Sequence, residues 1–307
     1  MPRLVIPGGS GYLGLQLAQY FSTKGWEVFV LSRRYYPPQG SIQFLEWDGK
    51  TLGDWAKVME GADVVVNMAG RTVNCRYNAT NKKQILDSRI DSTRIIGKAI
   101  AQAANPPKLW LNSSSATIYQ DTRGAIPAND EYNGKIGTDF SMNICKAWEK
   151  EFMAAVTPSV RKIALRTAIV IGKEPGGAME YLINLTKFWL GGTQGSGQQF
   201  ISWVHLSDFI RVVDFLIGKE HISGIINVAA PQPVTNQSFM AELRKAIGRS
   251  WGLPMPKVLL ELGAVFLGTQ TELVLKSRKV VSTRLKEEGF QFEYERIEDA
   301  FKEICTP

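Results

Sequence analysis

Short apolar, β-branched runs alternate with helix-length segments through the first half of the chain. The runs Leu4–Ile6, Glu27–Leu31, Ile42–Glu46, Asp63–Asn67, Leu109–Asn112 and Lys162–Arg166 read as strands. Between them, Tyr12–Thr23 repeats Leu13, Leu17 and Phe21 at fourfold spacing, the stripe of a core-facing helix. Ala79–Ala104 collects Ile85, Ile95, Ile96, Ala99 and Ile100 on one side of a long helix. Ser141–Val156 does the same with Ile144, Trp148 and Phe152. This alternation predicts an α/β protein with a doubly wound parallel sheet of βαβ units.

After Gly172 the pattern changes. Glycine-rich stretches at Gly176-Gly177, Gly191-Gly192 and Gly195-Ser196-Gly197 surround a helix at Ala178–Trp189. Leu206–Ile217 reads as a helix and Gly224–Val228 as a strand that returns to the sheet. From Pro231 the signal is mainly helical and closes with Ile297–Ile304. The expected division is a sheet domain from 1–172 plus about 206–229. A smaller, mainly helical substrate-covering domain then takes 173–205 plus 230–307.

Composition narrows the functional classes. The 307 residues are 44% apolar and 21% charged, ordinary for a soluble globular enzyme. The best apolar run, Val258–Leu267, is too short to span a bilayer and is interrupted by Glu261, so no membrane association is expected. Met1–Ile6 leads directly into a strand, without the long apolar region of a signal peptide. Cys75, Cys145 and Cys305 are widely spaced, form no Cys-x-x-Cys pair and suit a reducing compartment. With His205 and His221 the only histidines, no metal centre is expected, and the location read from these features is cytoplasmic. The net charge of +7 is dispersed, and pairs such as Lys82-Lys83 suit solvated helix faces better than a nucleic-acid surface. The expected partner is a small-molecule substrate; a homodimer is compatible with the sequence.

The clearest chemistry follows the first strand. Gly8, Gly9, Ser10, Gly11, Tyr12, Leu13 and Gly14 satisfy G-x-G-x-x-G and open the first helix. Glycines permit the tight turn, the approach of a pyrophosphate and close helix–strand packing. The pyrophosphate would sit on the unpaired N–H groups at the helix's positive end. This is a Rossmann-type dinucleotide signature. An NAD site would carry an acid about 20 residues on. Here Ser32, Arg33 and Arg34 end the second strand, and two guanidiniums with a hydroxyl suit a 2′-phosphate. NADP is therefore favoured over NAD.

Together with Asp63–Gly70 and Asn112–Tyr119, this loop resembles the extended short-chain dehydrogenase/reductases. Gly191–Gln198 and Trp203–Asp208 are similar to the NAD(P)-dependent epimerase/dehydratase-like subgroup with an added C-terminal helical segment, here roughly Gly252 onward. The resemblance implies that Ala69 and Gly70 lie under the cofactor and that Trp47 and Asp48 lie near the adenine. It implies that Ser115 is the catalytic hydroxyl, and that Lys146 holds the nicotinamide ribose and lowers the pKa of a tyrosine four positions earlier. It also implies that Gln198 and Trp203 line the substrate side, with Gln199 and Phe200 beside them. Tyr119 matches a position that is usually structural in the family, and His205 reads as an interior, hydrogen-bonded histidine.

One departure matters. The expected Tyr-x-x-x-Lys reads Met142-Asn143-Ile144-Cys145-Lys146, and a thioether has no proton to give. The expected function is an NADP-dependent oxidoreductase or epimerase-like enzyme acting on a small polar, sugar-like or carbonyl substrate without the usual tyrosine. A substrate hydroxyl or a water would then carry the proton. The competing reading is a non-catalytic NADP-binding sensor or scaffold.

Overall fold

The computed structural model describes residues 1–266 and 270–306. The chain runs β1 (Arg3–Pro7), α1 (Tyr12–Thr23), β2 (Glu27–Ser32), β3 (Ile42–Glu46), β4 (Val64–Asn67), α2 (Ala79–Gln102), β5 (Leu109–Ser115) and α3 (Phe140–Ala154). It continues through β6 (Arg161–Thr167), β7 (Ile169–Ile171), α4 (Ala178–Lys187), β8 (Phe200–Ile201), β9 (Trp203–His205), α5 (Leu206–Gly218) and β10 (Gly224–Val228). It closes with β11 (Val234–Thr235), α6 (Asn236–Ala246), α7 (Lys257–Phe266), α8 (Glu272–Leu275), α9 (Thr283–Glu287) and α10 (Ile297–Cys305).

Seven parallel strands form the central sheet in the order β10-β6-β5-β4-β1-β2-β3. Alternate residues of each strand serve opposite faces. Leu4, Ile6, Val28, Val30, Val64, Val66, Leu109 and Leu111 pack with Leu17 and Phe21 of α1 and Phe209, Val213 and Leu216 of α5. The intervening Val5, Phe29, Leu31, Val65 and Trp110 pack with Ile95, Ile96 and Ile100 of α2 and Phe152 of α3. The doubly wound architecture is thus the one the periodicity predicted. A second core joins Met179, Trp203, Phe239, Met240, Leu243, Ile297 and Phe301, so that β9, α4, α6 and α10 pack on one another.

The helix α1 keeps its expected limits; the other expected helices start where expected, α3 one residue early, and end one or two residues away, where capping rather than periodicity decides. The short strands β7, β8, β9 and β11 were not among the expected strands; β8 and β9 follow the glycine-rich stretch, and β11 lies where a helical signal was read. Of the apolar run Val258–Leu267, α7 contains all but Leu267, which with 268–269 and Pro307 lies outside the described residues. Among the described residues no helix is long and apolar enough to cross a membrane, and no cluster of His, Cys, Asp or Glu could hold a metal ion. The three cysteines are free.

The direction of winding reverses between β1 and β4, the position where open α/β sheets bind ligands outside the strand carboxyl ends. Beside it, a buried polar chain fixes the end of β5. Ser114 Oγ donates to Glu149 Oε1 at 2.6 Å, and Glu149 accepts both Nε and Nη2 of Arg166 at 2.8 Å. Arg166 Nη1 donates to the Tyr119 hydroxyl, which donates to Asn227 Oδ1, each at 2.9 Å. Asn227 N–H in turn donates to Glu131 Oε1 at 2.9 Å, and Glu131 Oε2 accepts Thr283 N–H at 3.0 Å. Glu149→Ala would leave the Arg166 guanidinium buried and unpaired, and should cost about 3–5 kcal/mol. Urea unfolding followed by far-UV circular dichroism measures this; Glu149→Leu combined with Arg166→Met should recover most of the loss.

Candidate functional site

The carboxyl ends of β1, β2, β4 and β5 surround the crevice, and the glycine loop closes its floor. Gly8 has φ of +73°, and a Cβ there would stand 2.5 Å from Ala69 Cα. A Cβ on Gly14 would stand 2.4 Å from Gly9 Cα, so α1 presses against its own loop. Gly11 differs. Its backbone is extended (φ −81°, ψ 170°), and a Cβ would meet only Gly8 O, at 3.8 Å. The fold therefore does not demand glycine at 11, while the open space above it does admit a ligand. Gly11 caps α1 without a side-chain bond, leaving the first-turn N–H groups of Tyr12, Leu13 and Gly14 facing the crevice. The Tyr12 ring packs against Gly172 and Gly177, and burial pushes its hydroxyl up to about 12. Ser10 is half-buried on the loop.

At the end of β2, Ser32 is buried and its Oγ accepts Arg34 N–H at 3.2 Å. Arg33 and Arg34 are exposed and make no ion pair among the described residues. Arg33 borders a hollow of about 680 Å³ lined also by Glu46, Trp47, Asp48, Asp54 and Trp55. Trp47 is buried edge-on to Trp55, at 5.3 Å between ring centres. Asp48 lies in the expected neighbourhood, but its carboxylate accepts Lys50 N–H, Thr51 N–H and Thr51 Oγ1. Hydrogen bonds from Thr51, foremost, and from Lys50 hold it below the usual carboxylate range. Asp54 pairs with Lys57. Three carboxylates thus share the hollow beside Arg33, two of them already engaged.

Across the switch point, Ala69 N–H donates to Asn67 Oδ1 at 3.0 Å, and Asn67 is locked to Asn112 at 2.7 Å. A Cβ on Gly70 would meet the Arg89 guanidinium carbon at 3.2 Å. Ser115 ends β5 half-buried; its hydroxyl accepts Thr117 N–H at 3.2 Å and contacts Thr117 Oγ1 at 3.0 Å. Lys146 is half-buried and makes no hydrogen bond or ion pair among the described residues, so its ammonium is available.

Glu149, bonded to Ser114, defines the face of α3 that meets the end of β5. Lys146 and Met142 lie one and two turns earlier, about 60° and 20° round from Glu149, with Cys145 and Ser141 about 40° and 80° round on the other side. Met142 is buried, accepts Asp139 N–H at 3.4 Å and packs on the turn at Gly137. Burial pushes the Cys145 thiol up to about 12, which removes it as an acid or base near neutrality. Tyr77, absent from the sequence reading, packs edge-on to Phe140 at 5.1 Å, and burial pushes its hydroxyl pKa up. Its loop has no periodicity that could have marked it.

Trp203 requires a correction. Its side chain is wholly buried in the second core, and its indole N–H donates to Gln232 O at 3.1 Å, leaving no face for a substrate. Gln198 is exposed on the rim and bonds Gln237 at 3.4 Å. Gln199 is buried and donates to Gln194 O at 2.7 Å. Tyr119 is a buried member of the polar chain, and His205 is an interior residue held by Ser207 at 2.8 Å and Glu303 at 3.1 Å.

Comparison with known proteins agrees with this architecture. The human epimerase family protein SDR39U1 is 32% identical over 309 residues, covering 99% of this chain and 100% of the relative. The epimerase family protein YfhF of Bacillus subtilis is 28% identical, covering 99% of this chain and 98% of the relative. A crystal structure of human SDR39U1 (isoform 2) with NADPH superposes with a TM-score of 0.87 at 30% identity, covering 99% of each chain. The model of a domain of unknown function, DUF1731, matches residues 255–304. The model of the NAD dependent epimerase/dehydratase family matches residues 4–229, and the chain belongs to that family.

Proposed function

We propose that this protein binds NADP(H) in the crevice over Gly8–Gly14 and exchanges hydride with a small polar carbonyl or alcohol substrate held beside Ser115. The observation that carries the reading is Gly11, the loop glycine that the fold itself does not require. The NADPH in the crystal structure of the human relative supports the same cofactor here. The nicotinamide supplies the hydride. In this reading, Ser115 hydrogen-bonds the reacting oxygen and Lys146 donates to the ribose. With a thioether at 142, Tyr77, packed on Phe140 at the start of α3, is the phenol that gives or takes the proton. Ser32, Arg33 and Arg34 would hold the 2′-phosphate, with Trp47 walling the adenine side. The cytoplasmic location and the small-molecule partner remain part of this proposal. A sensor is favoured instead if NADPH binds tightly and no carbonyl compound is reduced.

NADPH should bind at least tenfold more tightly than NADH by calorimetry, a difference of about 1.4 kcal/mol that one charge-assisted bond supplies. Arg33→Ala with Arg34→Ala should abolish the preference; equal affinities in the unaltered protein would remove the basis for choosing NADP.

Gly11→Val should fold with nearly unchanged thermal stability and lose NADPH binding, because its backbone angles suit a branched residue while its side chain fills the ligand's space. Gly14→Ala should instead destabilise the protein by about 1–3 kcal/mol through overpacking. Retained NADPH affinity in Gly11→Val would refute the assignment of this loop.

Single-turnover oxidation of NADPH over a panel of aldehydes, ketones and keto-sugars tests the chemistry. Tyr77→Phe should slow it by roughly 10²–10⁴-fold without changing NADPH affinity. An unchanged rate would assign the proton to the substrate or to water.

A further inference from the structure

Two guanidinium groups, Arg278 and Arg89, bear on the Cys145 turn of α3, and neither has a carboxylate partner among the described residues. Arg278 belongs to the extended run after α8. Its N–H donates to Phe200 O at 2.7 Å, and its carbonyl accepts Ser202 Oγ at 2.8 Å. Val280, two residues on, packs with Cys145 and Ala116. Alternate residues of an extended run project to the same side, so Arg278 faces the same helix. Its Nε is shut off from solvent and has no hydrogen-bond partner; Nη1 makes one long bond, to Ser277 O at 3.4 Å.

The acids around Arg278 are Glu272, Asp121 and Asp139, and each is already engaged. Lys276 holds both Glu272, at 2.6 Å, and Asp139. Asp121 is taken by a two-pronged bond from Arg123, at 2.8 and 3.0 Å, and by Ser277 N–H at 3.1 Å. Arg89 approaches from α2. It lies over the Trp148 ring at 5.0 Å, directly beneath Gly70, and donates through Nη1 only to the carbonyls of Arg71 and Ile85. No carboxylate faces it; burial holds both guanidiniums below their ordinary pKa range, and both bear on the Cys145 thiol.

A buried donor left unpaired in a native protein asks for a partner, and a guanidinium asks for an anion. We infer that Arg278, with Arg89 behind it, forms an oxyanion-recognising subsite of the substrate pocket. The substrate carries a carboxylate or phosphate group close to its reacting carbon. This rests on the proposed hydride-transfer function and specifies its substrate class. The free Nε edge of Arg278 receives the anion; Arg89, beside Gly70, sets its distance from the cofactor crevice.

Calorimetric titration with oxamate, inorganic phosphate and the neutral isostere oxamide, with and without NADPH, tests it. The unaltered protein should bind oxamate or phosphate, whichever fits the pocket, and should not bind oxamide. Arg278→Met should weaken that binding at least tenfold, Arg278→Lys should restore part of it, and NADPH affinity should stay within twofold in both. Equal anion affinity in Arg278→Met, binding of oxamide as strong as that of oxamate, or no anion binding by the unaltered protein would overturn the inference. Failure of NADPH to bind would overturn the cofactor reading alone, since the titrations without NADPH still decide the anion site.

Discussion

Arg166 and Glu149 lie buried at the carboxyl end of the sheet, joined by two parallel N–H···O bonds at 2.8 Å. Removing two such charges from water costs several kcal/mol each, and only a full set of bonds offsets it. The chain supplies that set: Ser114 donates to the carboxylate, and the remaining guanidinium edge donates to Tyr119. Because the pair tolerates no rotation, it fixes three things at once. It sets which face of α3 looks at β5, where the strand ends at Ser115, and through Tyr119 and Asn227 how 280–284 crosses the sheet edge. The site's geometry follows from a buried network behind it.

The sheet and its phosphate loop were legible because their constraints are local. Leu4, Ile6 and Val5 alternate whatever lies elsewhere, and only glycine fits where Gly8 meets Ala69. Between Gly172 and His205 the helix was legible but the strands were not. Those strands are two or three residues long and are held by distant partners, such as Ile169–Trp203 and Phe200–Thr235. Trp203 misled for a related reason. An aromatic residue in a glycine-rich context suggests a ligand wall, whereas contacts with residues near 230–301 bury it. The run 277–282 has no periodicity, since its hydrogen bonds go to Thr122, Asn129, Ser202 and Asn227.

Position 142 shows how a helix can keep a motif's geometry and lose its chemistry. A tyrosine–lysine pair spaced by four demands that both residues share a face, and residues 142 and 146 do. Glu149 sets the face of α3 that meets the end of β5, and stepping back three and seven residues leads to Lys146 and Met142, within about 60° of it. The thioether of Met142 then serves the turn at Gly137 and Asp139. Motif spacing records which residues travel together; the buried ion pair decides which way they point.

The arginines sort by what surrounds them, and that sorting carries the functional argument. Arg166 is buried and saturated, so it is structure. Arg33 and Arg34 are exposed and unpaired at the rim, where water already solvates them and the lack of a partner costs little. Arg278 and Arg89 fall between: too enclosed to be well hydrated, yet without a counter-ion, because Lys276 and Arg123 have taken every nearby carboxylate. Holding a guanidinium that way works against stability, and the fold does so with two of them on one helix face. Arg166 shows that this chain can satisfy a buried arginine completely where the architecture needs it. The incompletely satisfied pair over β5 is therefore the part of the site whose energetics close only when an anion enters.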